Sequence, residues 1–518
     1  MRKVNLIFIV ASMLVSNGCT KLEEKFLGDT TQGTLASGNS AILLQSLYSS
    51  LYSVFTYHLT VWPLQELCTD EAIFPTRGID WDDNGIWRSL HQHTWPSNHD
   101  VITECFNKLN GISYAATDLL RYNPSGKEQA EARFIRAWVM YLLLDLYDQV
   151  PYREKGESLT NPSRVRKDTS ALNYIIGEIN AVQTNLDVGP PHKANKYAAK
   201  MLLMKCYLNK AIYENRTNPS FSPTDMNIVI RLADSIINSN NFSFSTTYFD
   251  NFAPDNTNST NVKENIFALL SEPGSNPNSL MWFAWTIPLH YHQYGFNGWA
   301  TLSDFYNKFE LNDKRRGIVY NTPNSPPNPS GQINVGFLVG QQYDYLSGDP
   351  LKDRTGIPLI YTPEVSNIER FSNREVTGIR PIKYFPDWGP NYYSPNNDFV
   401  LFRFSDVLLM KAEAIARGGT GTYAGIYGNT ALLIVNALRT HSSRGASALS
   451  SLTPDSIYNE RGRELWFEGW RRQDMIRFGK FLGRFQEKDY ISDPKYLIYP
   501  IPDEQLAVNP NLVQNPGY

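Results

Sequence analysis

The sequence predicts a mainly α protein, a stack of helical hairpins interrupted by one long loop-rich insert. Three features carry that expectation. A mostly apolar face recurs at spacings of three and four, as in Ala130, Phe134, Ala137, Trp138, Tyr141 and Asp145, and helical signals of this kind dominate the first half of the chain. From about Asn240 to Asp398 that period disappears, and Gly, Pro, Asn and Ser become dense. After Asp398 the helical period resumes. Consecutive helices with short polar joins are the layout of a stacked array, although no fixed repeat length emerges.

The chain has 518 residues, several times the usual domain size of roughly 100–200 residues, so a large core or two packed lobes can form. Its 48 Lys and Arg against 51 Asp and Glu leave a net charge of −3, without the basic excess of a nucleic-acid binder. Aromatic residues reach 13% (11 Trp, 30 Tyr, 26 Phe), far from the composition of a disordered chain. Four Cys, with no C-x-x-C pair, suggest neither a disulfide scaffold nor a zinc site.

Residues 1–18 read as a leader. Arg2 and Lys3 precede an apolar stretch from Val4 to Val15, too short to span a bilayer. It ends in Ser16-Asn17-Gly18-Cys19, which looks like a bacterial lipobox with Cys19 as the lipid attachment point; the alternative is an ordinary secretory signal with an incidental Cys. At about 0.8 kcal/mol per buried methylene, two or three acyl chains would hold the protein on a membrane. Residues 19–40 form a polar tether and N-terminal segment. With Cys19 lipidated, Cys68, Cys105 and Cys206 remain, an odd number that leaves at least one free thiol, and burial as a small hydrophobe is the expectation.

The span 41–240 is read as the N-terminal helical scaffold, carrying an aromatic loop at 74–99. Helices are expected over Val101–Tyr122 and Glu128–Tyr147, the second stopped by Val150-Pro151. Others are expected over Ser170–Leu186, Asn195–Tyr213 and Thr224–Asn238. The span 241–398 is loop-rich and ligand-facing, built on a scaffold rather than being one. In 399–518 helices return, expected over Asp398–Arg417, Asn429–His441 and Thr453–Phe478, before a Pro-rich tail closes the chain.

Four stretches, in order, carry a family resemblance. Ala132-Arg133-Phe134-Ile135-Arg136-Ala137 with the following Val150-Pro151 is the first. The helix Leu401–Ala414 has the form R-x-x-D-x-L-L-x-x-A-E-A. Glu460–Asp474 has the form E-R-x-x-E-L-x-F-E-G-x-R-x-x-D. The tail pairs Tyr499-Pro500-Ile501-Pro502-Asp503-Glu504-Gln505 with Asn509-Pro510-Asn511-Leu512-Val513-Gln514-Asn515-Pro516-Gly517-Tyr518. Together with the lipobox they resemble the SusD/RagB family of outer-membrane nutrient-binding lipoproteins. The resemblance implies a superhelix of tetratricopeptide-like helix pairs with an irregular, loop-rich face. It also implies a non-enzymatic, cell-surface role. A SusC-like TonB-dependent β-barrel transporter would be the partner, and an oligosaccharide, or in some members a peptide, the cargo. No cofactor is expected, and a structural calcium is left open.

Glu460, Glu464 and Glu468 fall at i, i+4 and i+8 with Arg461, Arg463, Arg471 and Arg472 close in sequence. That pattern reads as an ion-pair lattice, and surrounding Arg would push carboxyl pKa values down, the wrong way for a general acid. The binding candidates are aromatics in loops. Trp81, Trp87 and Trp95 lie among Gly, Asp, Asn and Pro without helical or strand period. Flat rings cover the apolar face of a sugar, while Asn, Asp and Arg suit its hydroxyls, and covering ~50–100 Å² contributes about 1–3 kcal/mol. By order and approximate spacing, the family resemblance makes Arg77, Trp95 and Asn98 counterparts of an Arg, a Trp and an Asn in the glycan site. It also places stacking aromatics in the insert, where Tyr291 and Tyr294, then Trp282 and Trp285, are the candidates. The cluster Tyr384–Tyr393 is equally aromatic and could face ligand or transporter. His290 and His292 lack a third ligand nearby, so no metal site is read there. The alternative of a glycoside hydrolase needs two facing carboxylates, and Asp80, Asp82 and Asp83 keep it open; a purely structural helical adaptor is the third reading.

Overall fold

The computed structural model describes residues 38–78, 80–260, 262–271, 288, 295–296, 298–321, 332–344, 347–369, 375–385, 395–420 and 425–518. The leader, Cys19 and the start of the tether lie outside them.

The periodic apolar faces form helices close to where the sequence puts them. Helix α1 (Gly38–Thr56) and the short α2 (Val61–Glu66) precede the aromatic loop, which contains α3 (Ile86–His91). Then follow α4 (Asp100–Leu119), α5 (Gly126–Tyr147), α6 (Asp168–Val182), α7 (Lys196–Glu214) and α8 (Pro223–Ile237). Local chemistry sets several starts. Ser125 and Glu128 form a reciprocal cap on α5, the Asn195 side chain accepts from the N–H groups of Tyr197 and Ala198 on α7, and Pro223 opens α8. Beyond α5, Gln149–Tyr152 is an extended segment paired antiparallel with Arg164–Lys167, as the Val150-Pro151 step favours.

Each long helix packs on the next, in the order α1, α4, α5, α6, α7, α8. The following neighbour of α8 is α9 (Phe404–Ala416), although residues 238–403 intervene in sequence; α9 in turn packs on α10 (Ala431–Arg439) and on α11 (Pro454–Leu465). The insert thus leaves the array after α8 and returns beside it. Its two ends are joined by Asn265–Leu269, paired antiparallel with Phe399–Arg403.

Two expectations change. The helix expected from Asp398 begins only at Phe404, because residues 399–403 are drawn into that strand pair. The helix expected over 453–478 is divided into α11 and α12 (Arg471–Arg477). At the break Phe467 has φ 61° and Gly469 φ 81°. The freed N–H groups donate to buried carboxyl groups: Phe467 to Glu71, and Gly469 and Trp470 to Glu66. Elsewhere in the insert, Gly317–Asn321, Gln332–Leu338 and Arg380–Ile382 form a three-stranded antiparallel sheet.

The carboxylates of the 460–468 region confirm the lattice reading. Glu464 accepts from Arg315, Arg403 and Arg444 at 2.9, 2.5 and 2.6 Å, and all four side chains are buried. Glu460 pairs with Arg315, Arg439 and Arg463, and Glu468 with Lys383 and Arg403. Burial alone would raise the Glu460 pKa, but the surrounding guanidinium groups of Arg315, Arg463 and Arg439 overcome it and hold the pKa at about 2. Glu468 belongs to the lattice from beyond the helix end, not from a continuous stripe. The three described cysteines are free and buried, and burial pushes the Cys68 and Cys105 thiols up to about 12. Among the described residues, no helix is long and apolar enough to cross a membrane.

Candidate functional site

The aromatic loop is positioned by backbone pairing with distant parts of the insert. Ala72–Ile73 pairs antiparallel with Ala300–Thr301, and Thr76–Arg77 pairs parallel with Ile368–Glu369. After Arg77 the chain turns sharply, with φ 58° at Trp81, 37° at Asp83, 54° at Asn84 and 80° at Gly85. Gly and Asn accept the left-handed region; a Trp held there costs about 1–2 kcal/mol, which its packing must offset.

That packing is an aromatic nest. The Trp81 ring lies 4.6 Å from Phe74, 5.8 Å from Trp87, 5.9 Å from Phe296 and 6.4 Å from His58, centroid to centroid. Gly298 lies against the indole so closely that a Cβ there would overlap it. Trp81 itself is only partly buried, and Asp83 and Asn84 beside it are exposed. Asp82 pairs with Arg88 at 2.7 Å, and Asp83 accepts the Trp87 indole N–H at 2.6 Å. Burial lowers the His58 pKa against the opposing pull of Asp83, and its buried Nδ1 has no hydrogen-bond partner among the described residues. The arrangement offers a partly exposed indole edged by carboxylate and carboxamide groups, suited to stacking and hydroxyl hydrogen bonds. Asp82 and Asp83 are each engaged with a neighbour, one with a guanidinium and the other with an indole.

Of the residues expected to reach ligand, Trp81 keeps surface and Asn98 is exposed. Three others are corrected. Trp87 and Trp95 are each only 2% exposed. Trp87 lies beneath Trp81 and edge-on to Phe74 at 5.1 Å. Trp95 is enclosed by Tyr496 and Tyr499 at 4.8 and 4.7 Å. A large ring in a loop gains most by covering other rings, and here the C-terminal tail supplies them. Arg77 is 4% exposed and donates to the carbonyl oxygens of Gly298 and Thr377, so it ties the loop to the insert. Asn98 follows Ser97, which donates to Asp503 near the tail, so it shares Trp95's surroundings rather than Trp81's. Trp282, Trp285, Tyr291 and Tyr294 lie outside the described residues. Tyr384 and Phe385 of the third aromatic cluster are core residues, and residues 386–393 lie outside. His58, Phe296 and Gly298 were not expected at the site. His58 sits just past α1, and nothing in its local sequence marks it; Phe296 and Gly298 belong to an aromatic, Gly-containing stretch of sequence whose partner only folding reveals.

Residues 359–518 match the sequence profile of the SusD family. Along most of its length the chain is similar to the starch-binding protein SusD of Bacteroides thetaiotaomicron, 24% identical over 515 residues covering 89% of this chain and 86% of that protein. A SusD-like carbohydrate-binding protein from Bacteroides fragilis superposes with a TM-score of 0.69 at 18% identity, over 92% of this chain and 99% of that one. The surface glycan-binding protein A of Bacteroides thetaiotaomicron, solved in complex with laminarihexaose, superposes with a TM-score of 0.63 at 16% identity, over 93% and 99%. The mainly α, SusD-like fold expected from the sequence is thereby borne out. The names of these relatives state binding, not catalysis.

Proposed function

Since the chain is a SusD-like protein, with the family's profile in residues 359–518 and its fold along most of the length, we propose that it captures an oligosaccharide at the cell surface. It then delivers the sugar to a SusC-like TonB-dependent transporter and catalyses nothing itself. The observation that carries the reading is Trp81: a left-handed tryptophan, partly exposed, supported from below by Phe74 and Trp87 and edged by Asp83 and Asn84. A ring held in an unfavourable backbone conformation and still left partly in solvent is poorly explained by stability alone. Starch binding and the laminarihexaose complex of the relatives point to glucans as the first ligands to try. In this reading Tyr291 and Tyr294, with Trp282 and Trp285, supply further rings from the insert. Cys19 carries the lipid that holds the protein on the outer membrane.

Calorimetry of the lipid-free chain with maltohexaose, laminarihexaose and a wider oligosaccharide panel tests it. A stacking platform is worth about 1–3 kcal/mol, so Trp81→Ala is expected to weaken binding roughly tenfold or more. A ligand bound equally well by the wild type and by both Trp81→Ala and Tyr291→Ala would remove the proposed site.

A further inference from the structure

On the opposite use of the same chemistry, α4 carries a second polar and aromatic face. Asn110, Ser113, Tyr114 and Thr117 recur at three and four positions and line an open cleft of about 250 Å³. The far wall is the strand residues Pro151 and Tyr152 with Arg153, and the rim is Leu159 and Ser163. None of these residues belongs to the Trp81 nest.

The walls are fixed from three directions. Thr117 donates to the Ser113 carbonyl oxygen at 3.0 Å and accepts from the buried Arg136 at 3.1 Å. The Tyr152 ring is braced by the guanidinium groups of Arg164 and Arg166, 4.7 and 4.0 Å from its centroid. Ser163 is pinned by the side chains of Asn509 and Asn511 from the tail, at 2.8 and 3.0 Å. Thr117 and Ser163 are thus engaged, and Asn110 donates to the Phe106 carbonyl oxygen, but other groups that line the cleft keep hydrogen-bonding capacity. Among the described residues the phenols of Tyr114 and Tyr152 and the hydroxyl of Ser113 have no hydrogen-bond partner, and Arg153 spends one N–H on the Ser158 carbonyl oxygen. Tyr114 is 39% exposed, a large ring left partly in water.

We propose that this cleft between α4 and the 149–167 hairpin is a second carbohydrate subsite, which takes one pyranose unit with Tyr114 as its stacking platform. The chemistry is that of a sugar: one free aromatic face, a Pro and Leu rim, and phenol, hydroxyl and guanidinium groups to meet ring hydroxyls. The volume falls below the ~300–1,000 Å³ of drug-sized sites, which suits a single unit rather than a chain. Rigid walls with free donors and acceptors bind without reordering cost. The inference rests on the reading of this chain as a carbohydrate binder, but on different residues.

Saturation-transfer NMR with D-glucose, D-galactose, D-mannose and N-acetylglucosamine tests it on the wild type and on Tyr114→Ala, Tyr114→Phe and Trp81→Ala. At least one sugar is expected to give a signal that survives Trp81→Ala, falls at least severalfold in Tyr114→Ala and is kept by Tyr114→Phe. Absence of any sugar signal in Trp81→Ala, or equal signals from Tyr114→Ala and wild type, overturns the subsite. Failure of the Trp81 site is read separately, as unchanged oligosaccharide affinity in Trp81→Ala by calorimetry.

Discussion

The indole N–H of Trp95 donates to the phenol of Tyr518, the last residue of the chain, at 2.8 Å across 423 positions of sequence. Tyr518 passes the bond on to the Ile498 carbonyl oxygen at 3.0 Å, and Asn515 donates to the carbonyl oxygens of Tyr147 and Tyr499 at 2.9 and 2.7 Å. The Asn-Pro-Gly-Tyr ending is therefore a clasp over the scaffold. Trp95→Ala should cost about 3–5 kcal/mol, as for other fully buried rings, and removal of residues 515–518 about 2–4 kcal/mol. Urea denaturation reads both, while oligosaccharide affinity in the folded truncation should stay at the wild-type value.

Glu464 is the hub of three buried guanidinium groups, so its loss leaves Arg315, Arg403 and Arg444 short of charge in a dry interior. Glu464→Gln is expected to destabilise the fold by about 3–5 kcal/mol. A much smaller loss, measured by the denaturation midpoint, would mean the lattice is energetically redundant.

Glu66 and Glu71 face one another where the α11–α12 break is satisfied. Burial raises both; at Glu71 it outweighs the opposing Arg471 guanidinium, Asp70 adds to it, and the pKa reaches about 7 against 4.5 for a free Glu. The folded state thus keeps a proton that the unfolded chain releases, so this contribution is present below pH 4.5 and lost as the pH rises to 7. His91, lowered by burial to about 4 from 6.5, acts the other way, since its contribution is lost as the pH falls through that window. The two partly cancel in the wild type. The difference between Glu71→Gln and wild type isolates the first: the variant should gain on the order of 1–3 kcal/mol relative to wild type between pH 4.5 and 8. A difference independent of pH would mean Glu71 titrates normally.

Gly298 touches the Trp81 indole where a methyl group cannot fit. Gly298→Ala should displace the ring, shift tryptophan emission and weaken oligosaccharide binding severalfold, with a smaller effect on melting temperature than Trp95→Ala. An unchanged spectrum and affinity would show that Trp81 adjusts freely.

The helices were legible because their causes are local. Ser125 with Glu128, Asn195, and the Val150-Pro151 stop act within a few residues, and the 3.6-residue period of α4, α5 and α8 is written along the chain. The i, i+4 carboxylates Glu460 and Glu464 likewise announced ion pairing, although not Arg315, Arg403 and Arg444, which arrive from other elements. The short insert strands have no such local mark, because two to seven residues between breakers carry too little alternation.

By itself, then, the sequence determined a helical array, its interruption and its acid–base-paired interior. Only the tertiary structure decided which aromatic rings meet solvent. Trp81, Trp87 and Trp95 share a composition and a loop, yet Phe74 and Trp81 cover Trp87 and the tail covers Trp95, while Trp81 stays partly open. A helix is specified by hydrogen bonds four residues apart, whereas the exposure of a loop ring depends on partners hundreds of residues away.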